Sequence, residues 1–214
     1  MPTQSAKKGV IRGNPARTKD LILGSALAEF AENGFGGARI EVIAKNANVN
    51  KQALYYHFEN KDGLYKATIE YSYQMMRALD SKAVDDSLPP PVRLREFIST
   101  YFENINAHQS VVELVAEENR LRGRHIKNSS VVVDVNAPFV ERVRSIYADG
   151  VAAGDFRAGV DPNQLWITIV SISQFYFSNA YTISHILKEN LRTRAMTAVR
   201  KAHVIDFVLA ALRP

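Results

Sequence analysis

Residues 39–48 read Arg39-Ile-Glu-Val-Ile-Ala-Lys-Asn-Ala-Asn48, and residues 49–58 continue Val49-Asn-Lys-Gln-Ala-Leu-Tyr-Tyr-His-Phe58. The apolar spacing predicts two short helices, over 39–46 and 50–57, crossing steeply around a tight turn. Ile40, Ile43 and Ala44 give the first helix an inward face, and the small Ala44 permits close approach. Asn48 falls at the turn, where a positive φ is needed and Asn tolerates it better than most residues. Asn50 can cap the second helix. Leu54 and Phe58, four apart, face the core. That leaves Lys51, Gln52, Tyr55 and Tyr56 outward, with His57 near the helix end.

The outward set is polar, basic and aromatic. Lys51 and Gln52 stand at a helix N-terminus, where a recognition helix meets base edges in the major groove. Gln suits adenine, Lys suits guanine acceptors, and tyrosine hydroxyls commonly bond phosphates. Lys61 opens the next helix, so its charge and the helix terminus can together attract a phosphate. By pattern alone, an ordinary helical hairpin with a solvated face remains the alternative.

Charge points the same way. Residues 1–66 hold ten Lys/Arg and six Asp/Glu, a balance of +4, whereas the remaining seventeen and sixteen leave +1. A basic first third implies a polyanion partner, or else merely a basic tail. Residues 1–13, with Lys7, Lys8 and Arg12 and no acid, read as a flexible basic arm. The chain lacks cysteine, which excludes disulfides and thiolate metal sites and fits a cytoplasmic protein. No apolar run is long enough for a membrane span or a secretory signal.

The expected fold is all-α, with about nine helices. A helix-turn-helix domain over 14–60 starts at Asn14-Pro15, a cap and a first-turn proline, and its first helix stops at Gly34. A helical domain over 61–214 follows. Its predicted helices cover about 60–83, 92–107, 110–121, 123–153, 162–188 and 195–212, with a break at Pro89-Pro90-Pro91 and a kink near Pro138. Asp161-Pro162-Asn163-Gln164 reads as a cap, a first-turn proline and a capping-box glutamine.

Phe35-Gly-Gly-Ala-Arg-Ile-Glu-Val-Ile-Ala44, then Val49, then Leu54-Tyr-Tyr-His-Phe58, then Lys61-Asp-Gly-Leu64 together resemble the DNA-binding signature of the tetracycline-repressor (TetR) family. The resemblance implies phosphate contacts from Tyr56, His57 and Lys61, and base or backbone contacts from Lys51, Gln52 and Tyr55. Two positions depart from the family pattern. Asn48 replaces the usual turn glycine, and Ala38-Arg39 replaces the usual Ser/Thr, so Arg39 is expected to take over a lost phosphate contact. The Ser171–Ser178 run, the basic arm and the Phe35–Glu41 wording are similar to the pyrimidine-sensing branch of that family.

The resemblance further implies a one-component regulator: a homodimeric repressor that binds palindromic double-stranded DNA and is released by a small molecule. The helices at 162–188 and 195–212 would pair across a two-fold axis, with Ile183, Ile186, Leu187, Val204, Phe207, Val208 and Leu212 supplying apolar surface. The expected effector pocket draws on Tyr73, Met76, Tyr101, Phe102, Ile105, Glu118, Trp166, Val170, Gln174 and Phe177. Aromatics at helical spacing are more often plain core. Gln174 and Glu118 are more telling, as polar groups on apolar stripes that need partners when buried. The rival is a DNA-binding protein without a ligand, acting through partner proteins. No cofactor or metal is expected: the five histidines form no metal-spaced pair, no phosphate loop or nucleophile elbow occurs, and adjacent Glu117 and Glu118 point to different sides of a helix. An enzyme is therefore not expected.

Overall fold

The computed structural model describes residues 15–80 and 85–214; the basic arm and Asn14 lie outside the described residues. Ten helices are present among them: α1 (Pro15–Gly37), α2 (Ile40–Asn46), α3 (Lys51–Phe58), α4 (Lys61–Asp80), α5 (Pro90–Ala107), α6 (Gln109–Arg120), α7 (Ser130–Ala152), α8 (Pro162–Ser178), α9 (Ala180–Leu187) and α10 (Arg194–Ala211). No described residue is in a strand. The class is as expected, with one helix more.

The extra helix arises because 162–188 is two helices. At Asn179 the backbone leaves helical geometry (φ −117°, ψ 12°). Its side-chain amide donates to the Phe175 carbonyl at 3.1 Å, the same carbonyl that its own backbone N–H bonds, and so closes the last turn of α8. The predicted 123–153 helix also starts later. Residues 121–128 are turns, with Arg122 and Gly123 left-handed (φ 59° and 67°), and Ser129 then caps α7 by accepting from the Val132 N–H. Pro138 does not interrupt α7: Pro138 and Asp134 are both exposed, so the carbonyl left without its N–H partner is open to water.

In α1, Ile22, Ala26 and Phe30 form the predicted stripe and are all essentially fully buried. Each Ile or Phe so placed contributes roughly 1.5–3 kcal/mol. The regular helix ends at Gly34, whose φ of 64° and ψ of 175° suit glycine. One hydrophobic cluster runs from this stripe through α4 to Val204 and Val208 in α10 and to Leu212 at its end. The long α4 packs against α1 on one side and against α5 and α7 on the other. It thus joins the three-helix head to the body.

A second set of contacts ties head to body. The Phe35 N–H donates to Glu117 Oε1 at 3.0 Å, and α6 lies along α1. The buried His125 ring packs 5.0 Å from the Phe35 ring, and Arg124 lies over that ring at 6.0 Å. Among the described residues no helix is long and apolar enough to cross a membrane.

Candidate nucleic-acid interface and effector cavity

The turn between α2 and α3 has the form its sequence requires. Asn48 is left-handed (φ 54°), and Asn50 Oδ1 accepts from the Ala53 N–H at 2.7 Å. Leu54 and Phe58 are buried, which fixes the rotation of α3 and turns Lys51, Gln52, Tyr55 and Tyr56 outward. Among the described residues Tyr56 is the most solvent-exposed large hydrophobic side chain, at 86%. The half-buried His57 meets it edge-on at 5.4 Å. Lys51 pairs with Glu41 of α2 and holds that carboxyl below its ordinary value. Exposed pairs of this kind are screened by solvent, so Lys51 can exchange Glu41 for a DNA group. Arg39 presents an exposed side chain at the start of α2, while its backbone N–H donates to Glu29 Oε1 at 3.0 Å.

Lys61 has a second task. Its ammonium donates to the Ala38 carbonyl at 2.6 Å and lies 5.2 Å from the centre of the Phe35 ring, so it clamps the chain entering α2. Asn60 caps α4 through the Gly63 N–H at 2.8 Å. A Cβ at Gly63 would meet the Phe58 carbonyl at 2.4 Å; only glycine lets α4 start this close to the end of α3. Gly63 escapes a reading based on outward side chains; its place in the Lys61–Leu64 motif is its trace in the sequence.

In the body, Tyr101 and Gln174 come together: Gln174 Nε2 donates to the Tyr101 hydroxyl at 2.7 Å. Phe102 and Phe177 are buried with rings 5.1 Å apart, and Met76 and Ile105 are also buried. Tyr73, Trp166 and Val170 are partly buried around this cluster. Burial pushes the Tyr73 and Tyr101 phenols up from their ordinary value. Glu118 lies elsewhere, at the junction with the head. Its Oε1 accepts from the His125 and Ile126 N–H groups at 2.6 and 3.1 Å, and its Oε2 from His125 Nδ1 at 2.9 Å.

A partly enclosed cavity of about 110 Å³ lies between α4, α5 and α7. Phe97, Phe139, Val135 and Pro138 form its apolar wall, and Arg77, Asp80 and Arg142 its polar one. None of the pocket residues expected from the sequence is on this lining. Arg77 stacks on Phe139, its guanidinium carbon 3.7 Å from the ring centre, and lies 5.8 Å from the Tyr101 ring. Sequence reasoning passed over Arg77 and Asp80; the available sign was two opposite charges three apart on the stripe that carries Tyr73.

The residues expected at a dimer seam divide. Val204, Val208 and Leu212 are buried within the chain, whereas Ile186, Leu187 and Phe207 are exposed. Ile167 and Phe175 on α8 and Val199 on α10 join the exposed set.

Residues 22–68 match the family model for bacterial regulatory proteins of the tetR family, and residues 90–208 that for a tetracyclin repressor-like C-terminal domain. The HTH-type transcriptional repressor NicS of Pseudomonas putida is 30% identical over 98% of this chain and 99% of its own length. The HTH-type transcriptional regulator RutR of Escherichia coli is 26% identical over 92% of this chain and 91% of its own. A bacterial regulatory protein in the tetR family from Rhodococcus RHA1 shares the fold with a TM-score of 0.74, at 17% identity, covering 92% of this chain and 97% of that one.

Proposed function

Because this chain belongs to the TetR family of bacterial transcriptional regulators, we propose that it is a repressor whose homodimer binds a palindromic operator and lets go when a small molecule occupies the body. The observation that carries this is the outward face of α3, where Lys51, Gln52, Tyr55 and Tyr56 are held in place by buried Leu54 and Phe58. Gln52 and Lys51 read bases; Tyr55, Tyr56, His57, Arg39 and Lys61 hold the phosphates on either side. Residues 14–60 are the reading head, residues 1–13 add basic reach, and residues 61–214 serve dimerisation and the effector. The work is done in the cytoplasm, beside the chromosome.

The exposed apolar surface of α8 and α10 is the dimer seam. It would set the two α3 helices about one DNA turn apart, ~34–36 Å. The effector site lies in the body among α4, α5, α7 and α8, around Tyr73, Met76, Tyr101 and Gln174, with Phe102, Trp166, Val170 and Phe177 around them. A cavity beside this cluster, whose Arg77 lies 5.8 Å from the Tyr101 ring, favours this reading over a regulator that works through partner proteins alone. The ligand acts by preferring the non-DNA arrangement, with a typical coupling of about 1–3 kcal/mol. Two routes carry it to the head: α4, which runs from Lys61 to Asp80, and the contact between Glu117 and Phe35.

The test is fluorescence anisotropy with operator fragments selected from random DNA. Specific binding should require a palindrome and fall steeply with salt, as phosphate contacts demand. Equal affinity for selected and random duplexes would refute the operator reading.

A further inference from the structure

The turn that joins α6 to α7 is basic. From Asn119 to Val133 the chain carries Arg120, Arg122, Arg124 and Lys127 and no acid. All four cations are exposed. Two of them are aimed by their neighbours. Arg120 Nε donates to Glu117 Oε2 at 2.8 Å, while the other oxygen of that carboxylate receives the Phe35 N–H. Arg124 Nη2 donates to Asp62 Oδ1 at 2.9 Å, beside Lys61. Arg122 and Lys127 differ: among the described residues neither enters an ion pair, whereas Arg120 and Arg124 do.

The position of this turn gives the charge a meaning. The Arg124 guanidinium lies 6.0 Å from the centre of the Phe35 ring, and the Lys61 ammonium lies 5.2 Å from the centre of the same ring. The two cations can be no farther apart than those distances together. Lys61 also donates to the carbonyl of Ala38, the residue before Arg39. The basic turn therefore continues, on the corner between α1 and α2, the line of cations that Arg39 and Lys61 begin. A charge run standing alone is usually a solvated face; this one abuts residues that already face a polyanion. Leu121 and Ile126, the apolar members of the turn, are half-buried against the core. The turn thus lacks the apolar anchor on which a protein partner would rest. A row of phosphates needs none.

Resting on the operator reading above, we propose that the α6–α7 turn is a second DNA contact, carried by the body: Arg122 and Lys127 bind backbone phosphates beside those held by Arg39 and Lys61. Arg124 joins them by exchanging the exposed Asp62 for a phosphate. The contact reads no base and adds affinity to any sequence.

Arg122→Asn with Lys127→Gln removes the two unpaired charges. Asn suits the left-handed backbone at position 122 (φ 59°), and neither side chain has an ion-pair partner to lose, so Tm should hold. Anisotropy titrations against salt would use a selected palindrome and a random duplex of equal length. On both, the slope of log K against log salt should become shallower by about 3–4 for the dimer, at ~0.9 for each of four phosphates. Hydroxyl-radical footprints on the palindrome should lose sugar protection at positions that Lys61→Ala leaves protected. Arg122→Lys with Lys127→Arg keeps the charges and should retain slope and footprint. A double variant whose slope stays within about 1 of wild type, or whose footprint is unaltered, would overturn the proposal. A shallower slope on both duplexes with no preference for the palindrome keeps this contact and removes the operator reading. A preferred palindrome with an unaltered slope does the reverse.

Discussion

Glu118→Ala should unfold the junction between head and body before it affects any ligand. Glu118 is 2% exposed and accepts three hydrogen bonds, two from the backbone N–H groups of His125 and Ile126 and one from His125 Nδ1. Bonds to a charged acceptor contribute about 1.5–3 kcal/mol each, and a buried donor left alone costs a further 1–3. These terms are not additive, and the space left by the side chain can admit water. The net loss should then be about 3–5 kcal/mol. At roughly 2–4 °C per kcal/mol for a chain of this size, Tm should fall by about 6–20 °C. Glu118→Gln keeps one oxygen for the two backbone donors and should cost about 1–2 kcal/mol. Thermal and urea unfolding followed by far-UV circular dichroism would measure both. A Glu118→Ala chain within about 0.5 kcal/mol of wild type, the range of ordinary surface changes, would refute this role. The alternative, an effector anchor, would then be favoured if ligand affinity fell while Tm held.

The remaining predictions concern reading, assembly and pH. Gln52→Ala should shift operator preference in a selection experiment, whereas Lys61→Ala should weaken specific and random DNA alike and lower Tm slightly by freeing the Ala38 carbonyl; equal losses on both DNAs for Gln52→Ala would remove it from base reading. Phe175→Glu with Phe207→Glu should give a monomer by analytical ultracentrifugation and lose operator binding by at least about a hundredfold, because half-sites no longer bind together; an intact dimer would place the seam elsewhere. Asp80 is held above its ordinary carboxylate value because burial outweighs the Arg77 charge and the Asn104 bond. The folded chain therefore binds this proton more tightly than the unfolded one, and the resulting stability is present in acid and lost as pH rises through the raised value. Asp80→Asn should abolish that part of the stability–pH profile and be no less stable than wild type at neutral pH; a loss above about 1 kcal/mol there would show that the Arg77 attraction dominates.

The head is the part most legible in the sequence, because its signals are local. Asn48 and Asn50 act on backbone within three residues of themselves, and Leu54 and Phe58 orient α3 by spacing alone. The body is less legible. Glu118 stands out as a polar group on an apolar stripe, but its partner His125 is reached only through the left-handed turn at Arg122 and Gly123. The break at Asn179 is a change of backbone angles at one residue, whose side chain folds back on the Phe175 carbonyl, and apolar periodicity does not register it. Arg77 gains its meaning from Phe139, sixty-two residues away on another helix. Nothing in the neighbourhood of either residue announces that stacking.

The latch between Glu117 and the Phe35 N–H, with His125 packed on the Phe35 ring, has a consequence for how such regulators can be recombined. A cut between α3 and α4 looks like a natural seam, since the reading residues all precede it apart from Lys61. Yet a head transplanted there would arrive without the carboxylate that receives its Phe35 N–H, and without the α6 surface that α1 lies on. A working chimaera has to carry α6 and the 121–128 turn along with residues 15–80, or graft the outward side chains of α3 alone onto the recipient. The portable unit is therefore discontinuous in the chain: specificity travels as a few side chains or as two separate segments.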